Sequence, residues 1–278
     1  MNRVRVRTLL VPLLALVVAL LAVPVTAAAA AGPSYPYPTL GWPPAGANDW
    51  SCAPTRERPY PAVIVHGTFG DQKSLLDNLS FSLKRDGYCV FALDYGNRAT
   101  GPVEESAAEL KQFVDKVRDA TGAAKVQIVG HSQGGMMPRY YIKNLGGAPF
   151  VEDLVGLSPS NHGTYSAQLL APTETFCYSC TQQAADSAFL AELNSGDETP
   201  GDVDYTQVST RYDEVVVPYS SAFLADSPQS TNITLQDHCR LDAAEHLTIP
   251  LDPQAIRWVL DAFDRDGPAD PRAAIGCL

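Results

Sequence analysis

The sequence predicts an α/β fold: a mostly parallel central sheet with helices on both faces. Two observations predict it. Short apolar, β-branched runs alternate with longer amphipathic stretches, the order that strand–helix–strand crossovers produce. The continuous, β-branched character of the runs fits strands buried on both faces. With 278 residues, 45% hydrophobic and 18% charged, the chain is long enough to bury such a sheet.

The elements follow in chain order. Arg3, Arg5 and Arg7 precede an apolar run from Leu9 to Val25, and Ala27 to Ala31 offer A-x-A cleavage sites. This reads as a signal peptide over residues 1–31, leaving 32–278 as the mature, exported domain. An uncleaved membrane anchor is the rival, because the run approaches spanning length; the alanine tract favours cleavage. No later stretch is apolar enough to span a bilayer. Candidate strands are Ala62–Val65, Cys89–Leu93, Val126–Val129, Leu154–Leu157, Tyr205–Val208 and Ile233–Leu235.

Pro102 opens a helix whose buried stripe is Val103, Ala107, Leu110, Val114 and Val117, with acids early, bases late and Gly122 as the stop. In the last helix, Asp252 caps, Pro253 starts, and Ile256, Val259, Leu260 and Phe263 mark the buried face. Between about residues 161 and 201 the pattern weakens. This stretch holds Leu169-Leu170-Ala171-Pro172, a C-x-x-C and a helix over Gln182–Leu193. It reads as an insertion between two strands, and insertions of this size often cover a binding cleft. No internal repeat is apparent.

The chemistry centres on Gly130-His131-Ser132-Gln133-Gly134. G-x-S-x-G alone is common by chance, but here a strand runs straight into it and a helix-like stretch, Gly135–Asn144, follows. A strand–Ser–helix turn forces the serine into a strained conformation and leaves no room for bulk two residues either side, hence Gly130 and Gly134. The helix start also favours negative charge beside the serine. The context predicts a serine nucleophile on an α/β-hydrolase fold.

A nucleophile needs a base, and the base an orienting acid; in this fold they follow as Ser, Asp or Glu, then His. His162 comes too early. His238 follows a strand but sits against Cys239. His246, in the loop before the last helix, is favoured as the base. Asp213, after the strand Tyr205–Val208, is favoured as the acid. Its neighbour Glu214 would then face elsewhere, and Glu245 adjoins the base too closely to orient it. A turn or capping role is the plain alternative for Asp213. Two main-chain N–H groups should form the oxyanion hole: Gln133, directly after the nucleophile, and Thr68, after Val63-Ile64-Val65-His66-Gly67, whose hydroxyl could add a third bond. His66 reads as a structural residue of that loop.

Charge and cysteines narrow the class further. With 20 basic against 31 acidic residues, the net charge is −11. Loss of the three leading arginines makes the mature chain more acidic still. That disfavours nucleic acid as a partner and fits a soluble exported protein. Six cysteines in an exported chain imply three disulfides. Cys177 and Cys180 read as a local loop staple, since no second C-x-x-C lies near to complete a zinc site. No metal, cofactor or obligate protein partner is expected.

The sequence resembles the class 2 triacylglycerol lipases, small secreted bacterial α/β-hydrolases, and more distantly the fungal B-type lipase. The matching segments run in family order from about Cys52 to the C-terminus. They are Val63–Thr68, Gly87–Tyr95, Gly130–Gly135, Asn161–Thr164, Asp213–Pro218 and Glu245-His246-Leu247. The resemblance implies Ser132, Asp213 and His246 as a triad and Thr68 and Gln133 as the oxyanion positions. It also implies Cys52–Cys89 and Cys239–Cys277 bridges, leaving Cys177–Cys180. The insertion with its C-x-x-C departs from the smallest members. The expected reaction is hydrolysis of lipid or other carboxylic esters through an acyl-enzyme. Alternatives are a carboxylesterase or polyester hydrolase and, from another class, a non-catalytic binding protein on a hydrolase scaffold.

Overall fold

Every candidate strand lies in one sheet. The computed structural model describes residues 41–166 and 176–277. The expected signal peptide and the Leu169–Pro172 cluster lie outside the described residues. The elements are β1 (Ala62–Val65), α1 (Asp77–Arg85), β2 (Val90–Leu93), α2 (Val103–Thr121), β3 (Val126–His131), α3 (Gln133–Asn144) and β4 (Val151–Leu157). They continue as α4 (Tyr178–Gln182), α5 (Ala188–Leu193), β5 (Asp204–Ser209), β6 (Ser230–Thr234) and α6 (Pro253–Phe263). The sheet order is β2-β1-β3-β4-β5-β6, and every pair is parallel. Among the described residues, no helix is long and apolar enough to cross a membrane.

Strand side chains alternate between two cores, which is why the runs are mostly apolar; the buried exceptions Gln127 and Gln207 are hydrogen-bonded to Asp153 and Asn161. Val63, Val65, Phe91, Ile128, Leu154 and Tyr205 pack on one face against α2 and α3. Ile64, Val90, Val129, Val155 and Val208 pack on the other against α1 and α6. Each fully buried aliphatic side chain contributes about 1.5–3 kcal/mol. The stripe read for α2 is wholly buried, and Gly122 ends that helix in the left-handed region at φ 71°. Asp252 caps α6 as expected, accepting the Ala255 N–H at 2.8 Å. The buried face of α6 also includes Trp258.

Three expectations need correction. The helix over Gln182–Leu193 is two short helices, because Ser187 takes up an extended conformation and its hydroxyl accepts the Leu190 N–H, starting a new turn. The last strand ends at Thr234, with Leu235 opening a helical turn. Cys89 lies just before β2, although its carbonyl still accepts the Ala62 N–H. All three disulfides are present: Cys52–Cys89, Cys177–Cys180 and Cys239–Cys277.

The topology fixes where a ligand can bind. From β1 the chain steps outward to β2, then returns to β3 on the other side of β1. Loops leaving β1 and β3 therefore diverge at their carboxyl ends and open a crevice there. Val65 is registered against Gly130, so the segments leading to Thr68 and Ser132 flank that crevice.

Candidate active site

Ser132 occupies the turn between β3 and α3 with φ 56° and ψ −126°, a conformation non-glycine residues rarely adopt. The two motif glycines are sterically required. A Cβ on Gly130 would meet the Gly134 carbonyl oxygen at 1.8 Å, and one on Gly134 would meet the His66 and Val65 carbonyl oxygens at 2.4 Å. Gly67 is also tight from the other loop, where a Cβ would stand 2.9 Å from Ser132 Cβ.

Asp213 and His246 meet although 33 residues separate them. His246 Nδ1–H donates to Asp213 Oδ2 at 2.9 Å, and both side chains are buried. The other carboxylate oxygen of Asp213 accepts the Val215 and Val216 N–H groups at 3.0 and 2.7 Å. Burial alone would raise the Asp213 pKa. Hydrogen bonds from His246 and Val216, with the charge of His246, outweigh it and hold the carboxyl below its ordinary value. Glu214 turns away from the ring but not from the residue: its carboxylate accepts the His246 main-chain N–H at 3.4 Å.

The remaining histidines sort by position. His162 pairs with Glu198 at 3.0 Å, and His238 stands edge-on to Trp258 beside the Cys239–Cys277 bridge. His66 is buried, donates from Nδ1 to the Gly67 carbonyl at 2.8 Å and stacks on Tyr95, whose hydroxyl donates to the His66 carbonyl. His131 has a role that motif reading missed. Its Nε2–H donates to the His246 carbonyl at 2.8 Å, tying the nucleophile turn to the loop bearing the other ring. Nothing in the sequence marked it beyond the variable position of G-x-S-x-G.

Burial pushes the His131 imidazole down to about 3 and that of His66 to about 4. Both are neutral when folded, whereas an unfolded histidine titrates near ~6.5. Below that pH the unfolded chain binds the extra protons, so stability falls with pH until the folded rings titrate. Buried Asp153, held well above the ordinary carboxylate range by desolvation, works in the opposite direction. Comparing wild type with His131→Gln isolates the histidine. Their stability gap in urea unfolding is expected to narrow by up to about 1.4 kcal/mol per unit as pH falls from ~6.5. A gap constant from pH 7 to pH 4 would contradict the buried neutral ring.

The Thr68 hydroxyl donates to Gln133 Oε1 at 2.6 Å and so is engaged within the protein rather than free. Among the described residues, neither the Thr68 nor the Gln133 main-chain N–H has a protein partner. Both residues flank Ser132. A cavity of about 320 Å³ is lined by Gly67, Thr68, Ser132 and His246, by Ser160 and Gln183 on one side, and by Phe69, Leu75, Val215 and Leu247. Ser132 and His246 share this cavity, without a hydrogen bond between hydroxyl and ring among the described residues; such contacts commonly tighten only when substrate binds. No group of three or more His, Cys, Asp or Glu among the described residues could hold a metal ion.

A parallel sheet with a strained serine turn at its switch point, and an Asp–His pair from later strand ends, defines an α/β-hydrolase. The chain belongs to the class 2 lipase family, whose sequence model matches residues 59–259. Relatives include a triacylglycerol lipase of Vibrio cholerae, 39% identical over 85 residues covering 29% of this chain and 27% of that protein. A triacylglycerol lipase of Pseudomonas fragi is 28% identical over 153 residues, 51% of this chain and 50% of that one. The chain thus spans half or less of the curated relatives it matches. Crystal structures with the same fold include lipase B of Aspergillus fumigatus, with TM-score 0.68, 23% identity and coverage of 82% of this chain and 57% of that one. The propeptide form of lipase BlEst2 from Bacillus licheniformis has TM-score 0.59, 16% identity and coverage of 84% and 55%.

Proposed function

We propose that this protein is a secreted serine ester hydrolase that cleaves acylglycerols through an acyl-enzyme intermediate. The observation that carries the reading is one cavity shared by a serine at φ 56° and a histidine oriented by a buried carboxylate, beside the Thr68 and Gln133 N–H groups, which have no protein partner among the described residues. In this reading His246 Nε2 takes the Ser132 proton as Oγ bonds to the ester carbonyl carbon. The Thr68 and Gln133 N–H groups stabilise the oxyanion. When the tetrahedral adduct collapses, the ester C–O bond breaks and His246 returns the proton to the leaving alcohol. Water, activated by the same ring, then repeats the sequence and releases the fatty acid.

Lipid as substrate is supported by the cavity's edge. Phe69, Val215 and Leu247 line it and are each more than a third exposed, and Phe176 packs against Phe69 with ring centroids 5.9 Å apart. The described residues that follow β4 contribute Thr164, Ser166, Cys180 and Gln183 to the lining. Secretion is supported by three disulfides and by the composition of residues 1–31.

Labelling with a fluorophosphonate followed by peptide mass analysis tests the nucleophile: the adduct is expected on Ser132, and its absence would reject the serine mechanism. Rates on emulsified tributyrin, a long-chain triglyceride and a monomeric p-nitrophenyl ester test the substrate class. Activity confined to the monomeric ester would make the protein a carboxylesterase.

A further inference from the structure

Gln183 has no part in the reaction as described, yet it is buried among the groups that would stabilise the oxyanion. It follows α4 and reaches across to the other side of the cavity. Its Nε2 donates to Gln133 Oε1 at 2.9 Å and to Thr68 Oγ1 at 3.0 Å, with the Ser179 carbonyl also in range at 3.2 Å. Its Oε1 accepts the Ser160 hydroxyl at 2.8 Å, which orients the amide. The turn carrying it is tethered twice. The Cys177–Cys180 bridge closes its start, and Ser179 bonds through its N–H to the Thr100 carbonyl and through its hydroxyl to that of Ala99. The C-x-x-C therefore serves the cavity, through the residue it helps to place.

We propose that Gln183 is a positioning residue that lets the Thr68 hydroxyl turn into the cavity and donate to the oxyanion. The proposal rests on the serine-hydrolase reading above. At rest the single Thr68 proton lies on Gln133 Oε1. Turning it towards substrate would strip a buried acceptor of that donor, a move that is costly unless another donor remains. Gln183 supplies it: its N–H stays on Gln133 Oε1. The same N–H is shared with Thr68 Oγ1 and occupies a lone pair of the hydroxyl, so the proton is the part left to face the cavity. It also polarises the O–H and makes it a better donor. Rotation about the Cβ–Oγ1 bond is all that moves.

The test is a double-mutant cycle of Gln183→Leu and Thr68→Val, the latter keeping the main-chain N–H. Each variant is measured for kcat and KM on a monomeric ester, for inhibition by a trifluoromethyl ketone that forms a tetrahedral oxyanion adduct with serine, and for thermal midpoint. Losing one oxyanion donor costs about 100- to 1,000-fold. With two N–H donors retained, each single variant is expected to lose ~10- to 100-fold in kcat and in ketone affinity, with KM within about threefold. The double variant should fall no more than about threefold below Thr68→Val alone. An equal loss from Gln183→Leu in both backgrounds, or no loss in either, overturns the proposal. Should Gln183→Leu fail to fold, Ser160→Ala, which frees only the far end of the amide, must show a smaller loss that also vanishes with Thr68→Val. Fluorophosphonate labelling of every variant separates the two failures. An unlabelled wild type defeats the serine reading, whereas labelled proteins with an additive cycle defeat the role of Gln183 alone.

Discussion

Ser132→Ala is expected to lower turnover on a p-nitrophenyl ester by on the order of 10,000-fold or more, with the fold unchanged. The size follows from what is removed. No other hydroxyl in the cavity sits on the nucleophile turn, so the acyl-enzyme route closes and only binding and the oxyanion donors are left. The fold should survive because alanine keeps the Cβ and needs the same φ of 56°, and the Ser132 hydroxyl makes no hydrogen bond among the described residues. A thermal midpoint within a degree or two of wild type is the control. Activity reduced less than tenfold would mean that the chemistry lies elsewhere.

The fold was legible because burial dictates it. Strands covered on both faces are apolar at most positions, so short runs such as Ala62–Val65 stand out without any partner being known. The serine was legible for a local reason as well: strain and close contact leave only glycine at 130 and 134, and the signature stays within five residues. His246 and Asp213 were reachable through chain order and the family resemblance rather than a local motif, since what makes them a pair is a 2.9 Å contact across 33 residues. Gln183 and His131 were not reachable. Each is placed by side-chain bonds to groups distant in sequence, and a glutamine after a helix or a histidine inside a motif looks the same with or without those bonds. The helix over Gln182–Leu193 failed for a related reason. Its apolar spacing fits one helix, but the Ser187 hydroxyl offers its own backbone another partner and breaks the run.

Asp213→Asn is expected to cost about 10,000-fold in kcat at neutral pH, with little change in KM. The hydrogen bonds say why. One carboxylate oxygen accepts two main-chain N–H groups and the other accepts the His246 ring. An asparagine can satisfy only one side. With its NH₂ towards Val215 and Val216, two buried N–H groups lose their acceptor and face a donor. With its NH₂ towards the ring, those bonds survive, but His246 must present a bare Nδ1 and carry its proton on Nε2, where it cannot take the serine's. The second arrangement costs less in stability and stops catalysis. Glu214→Gln is the matched comparison one residue away. Among the described residues its side chain hydrogen-bonds only the His246 main-chain N–H, at 3.4 Å, and an amide oxygen can still accept that bond, so the rate should hold within about threefold. Measuring kcat and KM for both variants on one ester decides between the adjacent acids. A larger loss from Glu214→Gln than from Asp213→Asn would assign the orienting role to the wrong neighbour.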